Sequence, residues 1–312
     1  MDKILVAGID TIAGANIAAW LSGRHQVLGL SWRDPVSIAG CETAVCDGTS
    51  PDAARQWIQQ SAAKWIIFCG SAAESSWQPE ATALTRAKCC TEIEWAAAAR
   101  QAGAEFTLLS SDRVFTGPWM FHRESSTCHC ESPVAQGILL LEEEVATACP
   151  EALIVRTNAF GWGPKAKFSG MIEATLTALR EEQPFALDCQ RHGSPILATD
   201  LAEILEQAWQ AKLRGLFHIG GGERINPFRF ACLLADEFNL PAWTLEAVES
   251  GDRRREFGAG EASLQSRKIR KVLEMPLPLI REGLARLREQ HEGGFREKFG
   301  VSPAPRVAAR AA

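Results

Sequence analysis

The first residues whose types and spacing suggest chemistry are Gly8-Ile9-Asp10-Thr11-Ile12-Ala13-Gly14. They stand between an apolar run, Lys3 to Ala7, and a stretch of helical spacing, Ala15 to Leu21. A glycine-bounded turn between strand and helix brings free backbone amides and the positive end of a helix dipole to one point. That arrangement suits the diphosphate of a dinucleotide. Thr11 stands where such loops usually carry their middle glycine. Its β-branched side chain would either crowd the phosphate or donate a hydroxyl to it. A glycine-rich turn alone is a weak signal, and a bare tight turn is the alternative. Its place after the first strand strengthens the dinucleotide reading, which assigns Gly8, Asp10, Thr11, Ile12 and Gly14 to the cofactor.

Further residues extend the same wall. The second apolar run, Gln26 to Ser31, ends in Trp32-Arg33-Asp34. An acidic residue there would hold a ribose 2′-hydroxyl and an arginine a 2′-phosphate. Arg33 therefore favours NADP, while Asp34 keeps NAD open. Trp32 or Arg33 would stack on adenine. Asp47 opens the next turn, and Cys69 and Gly70 end the strand Lys64 to Cys69; all three are assigned to the cofactor wall. At the end of Glu105 to Ser110, the pair Ser111-Asp112 is the candidate catalytic group. Beyond Arg156, Phe160 and Trp162 offer faces for a base or sugar. Lys165 and Lys167 would meet a phosphorylated ligand, with Arg191 and Ser194 further along.

These residues need a scaffold that places strand ends together. Short apolar runs alternate with helical spacings: Pro51 to Ala63, Glu80 to Ala102 and Pro133 to Ala148 as helices, Ala152 to Arg156 as a strand. Such alternation predicts a doubly wound parallel sheet with helices on both faces. After about residue 157 the pattern loosens into helices at Met171 to Glu182, Leu201 to Leu213, Pro227 to Glu237 and Leu277 to Gln290, with a short strand Leu216 to Ile219. The expected organisation is a dinucleotide-binding domain over 1–157, a smaller α/β substrate lobe over 158–301 exchanging elements with it, and a flexible tail over 302–312.

Composition narrows the function classes. The chain has 312 residues, 46% of them hydrophobic and 23% charged, which fits a globular protein with a large core. Its net charge of −5 gives no reason to expect nucleic-acid binding. Apolar runs fall short of the roughly 20 residues that span a bilayer, and the first residues do not read as a signal peptide. A cytoplasmic protein with no membrane association is expected. The 10 cysteines include no CxxC pair. The sole dense cluster, Cys128-His129-Cys130, reads as reduced thiols in a loop, so no metal site is assigned.

Taken in order, several segments resemble the extended short-chain dehydrogenase/reductases, and within them the dTDP-4-dehydrorhamnose reductase family. They are Lys3 to Gly14, Leu109 to Gly117, Val155-Arg156-Thr157, Ser194 to Ala202, Gly215 to Ile219 and Arg281-Glu282-Gly283-Leu284. The resemblance implies a Rossmann domain binding NADP or NAD and a lobe binding a nucleotide sugar. It also implies catalysis by a tyrosine, a lysine four residues later, and a serine or threonine that Ser111 matches. Arg113 stands where the family usually has tyrosine, and the chain contains no tyrosine anywhere.

From Glu124 to Val155, where the pair is expected, there is also no lysine or arginine. A phenol lowered from a pKa of about 10 by an adjacent ammonium handles the family's proton. Leucine, isoleucine and glutamine cannot do this. Glu142 to Glu144 at the end of that helix read as solvated; His122, His129, Lys88 and Asp112 could each serve as a substitute proton donor, although a loop or surface polar role is the favoured reading for each. The resemblance therefore suggests a protein that binds dinucleotide or sugar nucleotide without turnover, as a homodimer or with a regulatory partner. The methionine adenosyltransferase β-subunit, a relative of this fold, has such a role. The alternative is an active NADPH-dependent reductase of a nucleotide-linked 4-keto sugar with a non-standard proton donor.

Overall fold

The computed structural model describes residues 1–32, 34–46, 52–78, 86–127, 129–164, 170–249 and 260–300, with backbone alone for 86–90. Its first part runs β1 (Lys3–Ala7), α1 (Ile12–Leu21), β2 (Gln26–Ser31), β3 (Ser37–Ile38), β4 (Glu42–Val45), α2 (Ala53–Ser61), β5 (Trp65–Phe68), α3 (Arg86–Ala102), β6 (Glu105–Ser111), α4 (Pro133–Ala148) and β7 (Leu153–Thr157). The rest is β8 (Ala159–Phe160), α5 (Met171–Arg180), β9 (Phe185–Asp188), β10 (Ile196–Leu197), α6 (Ala198–Gln210), β11 (Gly215–His218), α7 (Pro227–Glu237), β12 (Leu245–Val248), α8 (Arg267–Leu273), α9 (Ile280–Glu292) and β13 (Phe299–Gly300).

The apolar strand Trp65–Phe68, and Leu153–Thr157 with its buried Arg156, are covered along their whole length because helices lie on both faces of the sheet. Seven strands pair in parallel in the order β11-β7-β6-β5-β1-β2-β4. The chain winds from β1 out through β2 to β4, then crosses back to β5. That reversal opens a crevice at the carboxyl ends of β1 and β5, where α/β sheets bind their ligands. Gly8 and Gly70 both lie there. Helix α1 is apolar almost all round and buried between this sheet and α6, as such a helix must be.

Helix α4 begins where the sequence predicts. The Ser132 hydroxyl accepts from the Ala135 amide at 3.2 Å, and Pro133 occupies the first turn, where its missing N–H costs nothing. Elsewhere the structure revises the expected bounds. Ser50, the expected cap of the second helix, and residues 80–85 of the third lie outside the described residues. The short strand expected at 216–219 runs over 215–218 and pairs with β7 as the edge of the central sheet. Strands β3 and β4 were not expected, being short, mixed in composition and only partly buried. The second lobe packs α5, α7 and α9 around Phe160, Trp162, Phe230 and Leu284. Among the described residues, no helix is long and apolar enough to cross a membrane.

Candidate functional site

The turn after β1 is as tight as its glycines suggest. Gly8 has φ +95°, and a Cβ there would stand 1.9 Å from the Cys69 carbonyl oxygen. A Cβ on Gly14 would stand 2.2 Å from the Gly8 carbonyl oxygen. Thr11 is engaged within the turn itself. Its hydroxyl donates to the Gly8 carbonyl at 2.7 Å and accepts from the Gly14 amide at 3.0 Å, capping α1. The hydroxyl proton is thus committed inside the turn. Ahead of it, the amides of Ile12 and Ala13 donate to no group among the described residues. Two free amides at the end of a buried helix, on a turn that admits only glycine at its ends, fit a diphosphate. Asp10 faces the second strand, its carboxylate accepting from the Trp32 amide at 3.2 Å. The Ile12 side chain instead reaches across the cleft towards Gly170.

The neighbouring wall is crowded. Trp32 packs on Phe68 and Trp95, with ring centroids 5.1 and 6.0 Å apart, and its indole nitrogen leans over Gly8. Cys69 is fully buried in the core, which raises its thiol pKa and leaves its carbonyl rather than its sulfur against the turn. Gly70 lies against Glu92 of α3, whose carboxyl oxygen would sit 2.8 Å from a Cβ there. Sequence reasoning missed Glu92. It is 4% exposed, its Oε2 has no partner among the described residues, and burial pushes its pKa up to about 7. Arg33 and Asp47 lie outside the described residues.

At the end of β6 the candidate pair is engaged by the chain itself. Ser111 and Asp112 have no solvent-facing surface. The Ser111 hydroxyl donates to the Glu74 carbonyl at 2.5 Å and accepts from the Arg113 amide at 3.1 Å. One Asp112 oxygen accepts from the Ser76 amide at 2.8 Å; the other accepts from the Ser76 hydroxyl and the Asn158 amide nitrogen, both at 2.7 Å. Burial raises the Asp112 pKa, and these hydrogen bonds oppose the rise. Arg113 donates to the Ser75 and Gln78 carbonyls, and Arg191 donates to that of Ser76. Segment 74–78 is therefore gripped from both lobes, with Trp77 inserted edge-on against Phe230.

The second-lobe candidates are also relocated. Phe160 and Trp162 are core residues, corrected from ligand platforms. Phe160 packs on Phe230 at 5.0 Å, while Trp162 is fully buried beside His291 and Phe238. The carbonyl of Trp162 is tied to α1 by Asn16, at 2.7 Å. Ser194 is fully buried, its hydroxyl accepting from the Leu264 amide at 3.1 Å. Lys165 and Lys167 lie outside the described residues, as do the side chain of Lys88 and Cys128. Among the described residues, no group of three or more histidine, cysteine or acidic side chains is placed to hold a metal.

Glu142 corrects a second expectation. It is buried, not solvated, and forms a bidentate pair with Arg156 of β7 at 2.5 to 3.2 Å while accepting from the Ser110 hydroxyl. The helical phase was the available signal: Ala135, Ile138, Leu141, Glu142 and Val145 form one buried face. The Arg156 guanidinium lies over Phe115, against which His122 stacks at 4.5 Å and His218 packs edge-on at 5.4 Å. Burial and then the Arg156 charge bring the His218 pKa down to about 3. The pKa values of His122 and His129, two of the possible substitute donors, are also lowered by burial.

A family model described as the RmlD substrate binding domain matches residues 2–292. Among curated proteins, methionine adenosyltransferase 2 subunit beta of Danio rerio is 26% identical over 207 residues, covering 63% of this chain and 62% of that protein. The Xenopus laevis protein of the same name is 28% identical over 181 residues, 55% of this chain and 52% of its own length. The chain thus spans only about half to three-fifths of the length of these relatives. Among solved structures, dTDP-4-dehydrorhamnose reductase from Bacillus anthracis str. Ames in complex with NADP superposes with a TM-score of 0.74 at 17% identity, over 93% of this chain and 99% of that one. The Bordetella bronchiseptica enzyme WbmG in complex with NAD and UDP gives 0.74 at 16%, over 97% and 99%. At these identities the structures establish the fold, and the match over almost the whole sequence establishes that the chain belongs to the RmlD substrate binding domain family.

Proposed function

We propose that this protein binds NADP or NAD at the Gly8–Gly14 turn, takes a nucleotide or nucleotide sugar as a further ligand, and serves as a binding or regulatory protein without family-type turnover. One observation carries the reading. Ser111, Asp112 and Arg191, the side chains a reductase would turn towards its substrate, all hold the backbone or side chains of segment 74–78. The amides of Ile12 and Ala13 support cofactor binding independently, because they have no acceptor among the described residues.

A bound NAD(P)H supplies a hydride. The chain's part in such chemistry would be to orient the substrate and deliver a proton, and its residues are poorly placed for the second task. No phenol exists in the sequence. Ile138 and Leu141 fill the inner face of α4. The Ser111 proton is donated to a carbonyl. The turn's work is binding: Gly8 and Gly14 keep it close to the sheet, and Thr11 fixes the helix end.

An active reductase remains the second reading, favoured by Asp112, a buried carboxyl of raised pKa 3.3 Å from Ser111. NADPH absorbance at 340 nm, followed with dTDP-4-dehydrorhamnose, separates the two. Saturable NADPH binding with oxidation no faster than in buffer supports the binding reading. Enzyme-dependent oxidation that Asp112→Asn abolishes overturns it. The names of the curated relatives, which are subunits, favour a protein partner over a homodimer.

A further inference from the structure

Away from the glycine turn, a groove of about 670 Å3 opens beside α8. Leu264, Met275 and Leu277 form its apolar floor and Phe121 one wall. Arg267, Arg270 and Lys271 stand on its rim, exposed, and none of them pairs with a described carboxylate. Glu274 also lines the groove, so this edge carries three cations against one carboxylate, a local positive excess in a chain whose net charge is −5.

Next to the groove, Trp119 is 67% exposed, Met120 61% and Phe121 37%. Large apolar residues presented side by side mark interaction surfaces. Their loop is anchored: the Phe121 amide donates to the Ser263 hydroxyl at 2.8 Å, and the next amide, of His122, donates to the Ser263 carbonyl at 2.7 Å. Phe121 itself has φ +56°, a left-handed conformation that costs a bulky side chain energy. The strained backbone holds one aromatic ring against the groove while its two neighbours face solvent.

We infer that the groove beside α8 and the Trp119–Phe121 tip form one docking surface for an acidic segment of a partner protein that carries aliphatic side chains. The cations would meet its carboxylates, and Leu264, Met275 and Leu277 its apolar side chains. A small anion filling the groove would leave Trp119 and Met120 uncovered, whereas a protein segment covers both. The inference rests on the regulatory reading above for its biological sense, but its surface contains no residue of the glycine turn.

The test uses the full chain and two fluorescein-labelled peptides of about twelve residues, one alternating Asp/Glu with Leu, the other Lys with Leu. Anisotropy should show saturable binding of the acidic peptide and weakening as salt rises. The affinity should fall about tenfold or more in the triple variant Arg267→Glu, Arg270→Glu, Lys271→Glu, and also fall in Trp119→Ser. NADPH binding by the same variants should be unchanged, which separates failure of this surface from failure of the cofactor reading. Absence of saturable binding, equal binding of the lysine peptide, or binding that survives charge reversal overturns the inference. So does a monomer–dimer equilibrium in sedimentation that the same variants abolish, since the occupant would then be a second copy.

Discussion

Glu92→Gln isolates the buried carboxyl beside Gly70. The native pKa of Glu92 is raised by burial from 4.5 to about 7, with Oε2 unpartnered among the described residues. An acid raised in the native state binds more protons folded than unfolded between those values. Its stabilising effect is therefore complete below pH 4.5 and lost as pH rises through 7. At 1.36 kcal/mol per unit, the full loss is about 3 kcal/mol, of which roughly 2–3 kcal/mol falls between pH 5 and pH 8. Glutamine keeps the shape and removes the ionisation, though its amide adds donors that cost about 1 kcal/mol if unmet. Urea denaturation of both proteins at pH 5 and pH 8 measures the difference. The variant's stability relative to wild type should rise by roughly 2–3 kcal/mol from the lower pH to the higher. A difference that does not change with pH would show that Glu92 is not a buried, unpaired carboxyl, and the crowded picture of this wall would fail.

Three further outcomes follow from the same contacts. Thr11→Ala should cost about 1 kcal/mol in thermal or urea denaturation, through loss of the α1 cap, while NADPH affinity measured by titration stays within a few-fold of wild type. Arg156→Met strips Glu142 of its buried partner and should destabilise by about 3–5 kcal/mol in denaturant melts; a cost below 1 kcal/mol would contradict the pairing. The His218 pKa is lowered from 6.5 to about 3, so its neutral form supports the fold fully above 6.5, and that support is lost as pH falls from 6.5 towards 3. His218→Phe should accordingly flatten the acid limb of the stability profile between those values, followed by circular dichroism.

Legibility of the fold and site varied with how local the determining contacts are. The start of α4 could be read because Ser132 and Pro133 act within one turn. Strands such as Trp65–Phe68 showed themselves as apolar runs, since burial on both faces leaves no polar alternation. The aromatics Phe160 and Trp162 misled because Gly161, Gly163 and Pro164 around them look like an exposed loop. What buries them is Phe230, Leu284 and His291, far along the chain. Glu142 sat in an acidic triplet that resembles a solvated helix end, and its partner Arg156 lies on another element. The role of segment 74–78 had no local signal, because its backbone carbonyls are held by side chains more than 30 residues away. Thr11 stood out as the unusual residue of the turn, but that its hydroxyl caps α1 and bonds the Gly8 carbonyl could be read only from the folded turn.

The central claim is that the turn between β1 and α1 still receives a dinucleotide. Thermal denaturation of the purified chain with and without about 1 mM NADPH, and separately NADH, tests it most directly. A ligand present at about 100 times its dissociation constant adds about 2.7 kcal/mol to stability, which for a chain of this size raises the melting temperature by roughly 5 °C. At least one of the two cofactors should produce such a rise. Superimposable melting curves with both would contradict the account.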